Sequence, residues 1–350
     1  MRGLVNAAAY LSPGTSEGRR VAGPDEDGLT LAATAVERVS VNAGRTTDPI
    51  SLELLGDYPT ALEWAVPFFM GRPAQIARSP ATGADLVASL ARAAAGAGGA
   101  AVVLVVEMPE RSNPPFRPST TPGAGAAAFW FEEGRGVPLT EILASLAPGP
   151  SALGTSFEAF RRAAGSPASA WVGDWNADSR SGRAVDPQQI APFIGLSTKA
   201  VSEGAYVPRP RYIENLPSRW RFVAERCGAC GAVTFPAHGV CRSCGRFEDL
   251  QSFSLPRDGA EVVASTVIGS GGQPTEFDPQ VAAFGSYQVV LVELAPNVRV
   301  TLQVSDADPG TVRIGDRVDT RLRRLYAMDG EWRHGRKAVP SVAGPGPGSV

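Results

Sequence analysis

Apolar and polar positions change rhythm twice along this chain, and the changes predict its elements. In the first 150 residues, helix-like and strand-like runs alternate. "GLTLAATAVERV" (28–39) has the spacing of an amphipathic helix. Pro24, Asp25 and Asp27 sit at its start, where proline and acidic residues suit a first turn. "ADLVASLARAAAGAG" (84–98) predicts a second helix that stops at glycines. "AAVVLVVEM" (100–108) is a continuous apolar run, the mark of a strand buried on both faces. "GAGAAAFWFEEG" (123–134) predicts a strand of small residues. Such alternation argues for a layered α/β domain with a mixed sheet and helices.

The rhythm weakens over 151–205 and predicts a helical or irregular connection. "YVPRPRYIENLPSRWRF" (206–222) interleaves Pro and Arg with aromatics, as a linker or an arm packed on a partner would. After 227, short alternating runs recur: "EVVASTVIG" (261–269), "YQVVLVEL" (287–294), "VRVTLQV" (298–304) and "RVDTRLRRLYA" (317–327). Turn signals at Pro296-Asn297 and Gly315-Asp316 separate them. Short strands with tight turns predict a small β-barrel, with the OB-fold as candidate. The expected organisation is an α/β domain over 1–150, a connection and arm over 151–222, a cysteine-bearing unit over 223–250, a barrel over 251–340 and a flexible tail over 341–350.

Composition narrows the function. A chain of 350 residues suggests two or three domains, and 43% hydrophobic content is ordinary for a soluble protein. A net charge of −2 gives no electrostatic case for nucleic acid. No secretory h-region or apolar run of membrane-spanning length appears, so a cytoplasmic protein with no membrane association is expected.

All four cysteines fall in "RCGACGAVTFPAHGVCRSCG" (226–245). Cys227 and Cys230 form one CxxC pair, Cys241 and Cys244 another. Each pair lets two sulfurs converge on one ion, and two pairs give a tetrahedral site suited to Zn²⁺. The ten-residue gap fits a zinc ribbon; a rubredoxin-type iron site would use the same ligands. Four thiolates leave no open coordination position, so the metal is expected to be structural. His238, between the pairs, reads as an exposed loop histidine. The basic run "RLRRLYA" with "RHGRK" (321–337) has two readings: a solvated β-face, or cations that neutralise the phosphates of CoA or RNA.

The Arg/Pro/aromatic lead-in, both CxxC pairs and the barrel runs together resemble the acyl-CoA-associated zinc-ribbon/OB-fold family over about 205–340. That resemblance implies a protein that is not an enzyme alone, associates with a thiolase-fold condensing or C–C cleaving enzyme, and helps hold or channel acyl-CoA. The first half has its own resemblance. "GRRVAGPDEDGLTLAATAVERV" (18–39), "ARSPATGADLVASLARAAAGAGGAAVVLVVE" (77–107) and "GAGAAAFWF" (123–131) look, in order, like segments of prokaryotic hydroxymethylglutaryl-CoA synthase in the thiolase superfamily.

The departure falls at the nucleophile. That family places a cysteine just before the helix that here begins near Ala84, where this chain reads Ser79-Pro80-Ala81-Thr82-Gly83. Residues 1–226 contain neither cysteine nor histidine. A hydroxyl of Ser79 or Thr82 would need an adjacent base, and only Asp85 and Glu107 lie near in sequence. Asp85 reads better as a first-turn helix charge. The resemblance therefore implies a degenerate half-thiolase domain with no catalytic residue of its own. Its partner would be a complete thiolase-fold subunit, two copies of each chain giving the simplest symmetric heteromer. Arg209, Arg211, Arg323 and Arg324 would then meet the CoA phosphates. An active enzyme with a Ser/Thr nucleophile and a nucleic-acid module are the alternatives.

Overall fold

A computed structural model describes residues 2–11, 14–16, 19–20, 25–40, 50–56, 62–72, 74–79, 83–96, 99–107, 125–136, 138, 183–184, 209–328 and 331–341. The chain divides into two compact units, Met1–Gln188 and Gln189–Val350. The irregular stretch 151–205, the loop with Thr82 and the tail beyond 341 lie almost wholly outside the described residues.

Unit one is built on a five-stranded mixed sheet in the order β1-β7-β6-β4-β5. Its strands are β1 (Arg2–Leu11), β4 (Ile50–Gly56), β5 (Ala74–Ser79), β6 (Ala100–Glu107) and β7 (Gly125–Glu133). The short strands β2 (Gly14–Ser16), β3 (Arg19–Arg20) and β8 (Arg183–Ala184) make a separate small sheet. β4 runs parallel to β5 and β6, while β7 runs antiparallel to both β6 and β1. Residues Ala101–Val106 and Ala126–Phe131 are all buried, so β6 and β7 are covered on both faces.

Helix α1 (Gly28–Ser40) packs on β7, β1 and β6, with α2 (Leu62–Met70) beside it. Its start is fixed by a reciprocal cap: Thr30 N–H donates to Asp27 Oδ1 at 2.9 Å, and Asp27 N–H donates to Thr30 Oγ1 at 2.8 Å. Of the acidic residues before this helix, Asp27 thus acts through hydrogen bonds to its first turn. Helix α3 (Gly83–Ala95) is tied to the sheet where Ser89 Oγ donates to Glu53 Oε1 at 2.7 Å. Ser79 ends β5 just ahead of it.

Unit two begins with the lead-in, which folds into helices α4 (Arg209–Glu214) and α5 (Leu216–Arg221). A three-stranded ribbon follows in the order β10-β9-β11, from β9 (Val223–Cys227), β10 (Val233–Thr234) and β11 (Leu250–Ser254). The last sheet has the order β14-β13-β12-β15-β16. Its strands are β12 (Ala260–Ile268), β13 (Tyr287–Ala295), β14 (Val298–Gln303), β15 (Arg317–Met328) and β16 (Glu331–Pro340), with helix α6 (Asp278–Phe284) between β12 and β13. Asn297 takes a φ of 63° in the turn expected there. The sheet curls until its edge strands approach: Val304 and Ala338 form one isolated parallel bridge, and Ser305 N–H donates to Ala338 O at 2.8 Å. No ladder closes the barrel among the described residues. The core joins ribbon and sheet, with Phe222, Ala224 and Leu255 packed among Val262, Val290, Val292, Leu302 and Val318.

Of the arm expected over 206–222, the described part, from Arg209 on, packs on its own chain. Tyr212 Oη donates to His334 O at 3.0 Å and accepts from His334 N–H at 2.9 Å. Trp220 Nε1–H donates to the same carbonyl at 3.1 Å. Two aromatics of the lead-in thereby occupy the backbone of β16, and burial pushes the Tyr212 phenol above its ordinary range.

This packing corrects the reading of 321–337 as a solvated face. Arg323, Arg324, Arg333, His334, Arg336 and Lys337 are all buried. Arg324 lies over Trp332 at 4.8 Å, Arg333 over Tyr212 at 4.9 Å and Arg336 over Phe222 at 5.4 Å. Arg323 forms a buried ion pair with Asp306 at 3.0 Å. A register shift between Arg324 and Tyr326 breaks the alternation that the sequence suggested. Guanidinium planes are tolerated here because rings and carbonyls replace water.

Tyr212→Phe should destabilise unit two by about 1–3 kcal/mol, since the backbone of His334 loses a partner in a buried setting. Chemical denaturation of wild type and variant measures the difference. An unchanged midpoint would show that the lead-in is not fastened this way.

Candidate metal centre

The ribbon is built from two matched turns. In the first, Cys227 N–H donates to Ala232 O at 3.0 Å and Gly231 N–H donates to Cys227 O at 2.8 Å. In the second, Cys241 N–H donates to Arg246 O at 2.7 Å and Gly245 N–H donates to Cys241 O at 2.9 Å. Each turn closes on a glycine with positive φ, 73° at Gly231 and 75° at Gly245. A Cβ there would strain the backbone, so glycine fits the position. The repeat CxxCG in the sequence is the trace of this geometry.

The turns bring all four sulfurs within 4.8 Å of one another. Cys227 Sγ stands 3.7 Å from Cys244 Sγ, and Cys230 Sγ stands 3.6 Å from Cys241 Sγ. Cys227 and Cys241 are buried, whereas Cys230 and Cys244 reach the surface. The backbone N–H groups of Cys244 and Ser243 aim at Cys241 and lower its thiol to about 6. At Cys244 the N–H of Arg246 pulls down, but the neighbouring thiols outweigh it and push that thiol up to about 11. Ionising one sulfur thus resists ionising the next. A divalent cation removes that repulsion, and a compact four-sulfur donor set fits zinc or iron.

Supporting contacts fix the loop between the turns. Glu225 Oε2 accepts from the N–H groups of His238 at 3.0 Å and Gly239 at 2.9 Å. His238 is exposed, and its ring meets Arg242. Arg226 lies over Phe253 at 5.1 Å, tying β9 to β11. Neither the Glu225 contact nor the buried cation stack of β15 and β16 was legible from spacing; both depend on residues far apart in sequence.

The four arginines named for CoA phosphates do not form one surface. Arg209 and Arg211 are exposed on α4, and Arg211 pairs with Glu214 at 2.9 Å. Arg323 and Arg324 are covered inside the β15–β16 hairpin.

Paired knuckles on a three-stranded sheet define a zinc ribbon, and residues 218–250 match the family described as "ChsH2, rubredoxin-like zinc ribbon domain". Beyond the ribbon, a "DUF35 domain-containing scaffold protein" of Methanothermobacter thermautotrophicus is 31% identical over 130 residues, which are 37% of this chain and 92% of that one. The namesake from Methanocaldococcus jannaschii is 29% identical over 128 residues, 36% of this chain and 86% of that one. The chain belongs to this family of DUF35 domain-containing scaffold proteins. Among solved structures, an "Ltp2-ChsH2(DUF35) aldolase" aligns with 39% of this chain and 98% of its own, at 23% identity and a TM-score of 0.30. A 3-oxoacyl-(acyl-carrier-protein) synthase III aligns with 39% of this chain and 51% of its own, at 18% identity and a TM-score of 0.32.

Protein purified without added metal should carry close to one equivalent of zinc, or of iron, per chain by elemental analysis. Less than about half an equivalent in well-folded protein would count against the site. Gly245→Ala should weaken metal retention and cost about 1–2 kcal/mol, because alanine must hold the left-handed backbone of the second turn. Competition with a chromophoric chelator reads the loss.

Proposed function

We propose that this chain is a non-catalytic scaffold subunit of an acyl-CoA-processing complex. It pairs with a catalytically complete thiolase-fold condensing or C–C cleaving enzyme and helps hold or channel the acyl-CoA. The observation that carries this reading is the placement of every thiol. All four cysteines lie in the ribbon, and residues 1–226 hold no cysteine or histidine for acyl transfer or proton movement. The relatives named as scaffold proteins support the same role.

Unit one supplies a surface for such a partner. β5 is the outer strand of its sheet, and its far edge pairs with no strand among the described residues. Gln75, Ile76 and Ala77 are exposed along it, and Trp64 on α2 is 51% exposed. An open edge with apolar side chains invites pairing with another chain. The mixed sheet with helices packed on it is consistent with the half-thiolase domain that the sequence resembles. In unit two, the parallel approach of β14 and β16 supports an OB-type barrel. Zinc would be structural, held by Cys227, Cys230, Cys241 and Cys244. Arg209 and Arg211 are the part of the expected CoA-phosphate set that the surface presents; a phosphate reaches Arg323 and Arg324 only if the hairpin is uncovered. A cytoplasmic heteromer with two copies of each chain completes the proposal.

Co-expression with the thiolase-fold subunit of the same host should yield a complex of two copies of each chain by light scattering. The chain alone, incubated with labelled acyl-CoA, should show no covalent adduct in intact-mass analysis. A stable adduct on Ser79 or Thr82 would replace the scaffold reading with an active enzyme. A monomer that ignores every co-expressed thiolase-fold chain would remove the partner.

A further inference from the structure

The two ribbon turns are alike in backbone and unlike in what flanks them. In the first turn the flanking residues are Arg226 and Val233, paired across β9 and β10. Val233 packs against the core of unit two, and Arg226 lies over Phe253. The equivalent positions of the second turn are Val240 and Phe247, brought side by side in backbone by the Cys241 N–H to Arg246 O bond. Both point to solvent. Phe247 is 72% exposed, the highest of the large apolar side chains among the described residues, and Val240 is 44% exposed. Arg242 and Arg246, also exposed, stand within the same turn.

Nothing in the ribbon requires an apolar pair here. The turn is closed by its backbone bonds and Gly245, and Glu225 already holds the entering loop. An exposed aromatic beside an aliphatic, flanked by two guanidinium groups, is the composition of an interface anchor. Charge also selects the occupant. Of the two carboxylates that follow Phe247, Asp249 is turned toward the first turn, where its side chain crowds Gly228 and its carbonyl accepts from Gly228 N–H at 2.9 Å, and Glu248 is exposed. The second turn is left with an apolar tip, the two cations Arg242 and Arg246 and the single carboxylate of Glu248, a net positive rim that fits an apolar socket rimmed by carboxylates.

We propose that the second ribbon turn is a docking tip, with Phe247 and Val240 as anchor and Arg242 and Arg246 as guides, for an acidic-rimmed apolar socket on a protein subunit. The proposal deepens the scaffold reading above and rests on it: the subunit is the thiolase-fold partner, contacted at a place separate from the β5 edge. A single-stranded nucleic acid would also stack on an aromatic and meet arginines. The chain's net charge of −2 disfavours it.

The test uses the full chain, purified with its metal, and the thiolase-fold subunit of the same host. Phe247→Ser should raise the dissociation constant of the complex about tenfold or more. The double variant Arg242→Glu, Arg246→Glu should weaken it comparably and flatten its salt dependence. Ile314→Ser, which removes another highly exposed apolar side chain of unit two, should change nothing. Metal content equal to wild type in each variant excludes unfolding of the ribbon. A complex that forms with wild type and binds Phe247→Ser equally well overturns the docking tip and leaves the scaffold reading standing. A wild-type chain that binds no such subunit removes both. In a second arm, anisotropy with a fluorescein-labelled uridine 20-mer should show no binding that depends on Phe247, and binding lost in Phe247→Ser would reassign the tip to nucleic acid.

Discussion

Four sulfurs within 4.8 Å of one another cannot all ionise unless a cation joins them, and the ribbon exists around that constraint. Its strands are five, two and five residues long, too short to be held by their own ladders. The backbone of each turn is spent on the cysteines, through a bond into Cys227 or Cys241 and a glycine that closes the turn. What apolar surface the ribbon has, from Ala224, Val233, Phe235 and Phe253, faces the β-sheet core beside it. The shared core makes the ribbon part of the packing of unit two.

A second fastening holds the lead-in. Tyr212 and Trp220 converge on the backbone of His334, and Arg336 Nε donates to Trp220 O at 2.5 Å in return. Three stacks of guanidinium on ring then line the hairpin, so that cations which would ordinarily seek water are held by aromatic faces, carbonyls and Asp306. A buried ion pair such as Arg323–Asp306 adds little net stability but penalises any packing that separates it. The lead-in is thereby joined to the last strand of the sheet, about 120 residues away in sequence.

Unit one holds a mixed sheet, a capped first helix and a helix after β5, and the hydroxyl residues Ser79 and Thr82 precede that helix in the sequence. Two exposed features stand out among the described residues: the β5 edge in unit one, and Phe247 and Val240 in unit two.

The sequence by itself determined the elements whose signal is local. The helices near 28–40 and 83–95, the doubly covered strand at 100–107, the turn at Asn297 and the four sulfurs of the ribbon were legible because periodicity, turn chemistry and CxxC spacing act over a few residues. β1, β4 and α2 escaped notice, their patterns being short or mixed with polar residues. Tertiary structure alone decided the rest. The lead-in became two helices on β16 because its aromatics find the His334 backbone, and the basic run became interior because a register shift at Arg324–Tyr326 and those same aromatics cover it. A charged residue's fate depends on what is brought to lie over it, and no local pattern carries that information.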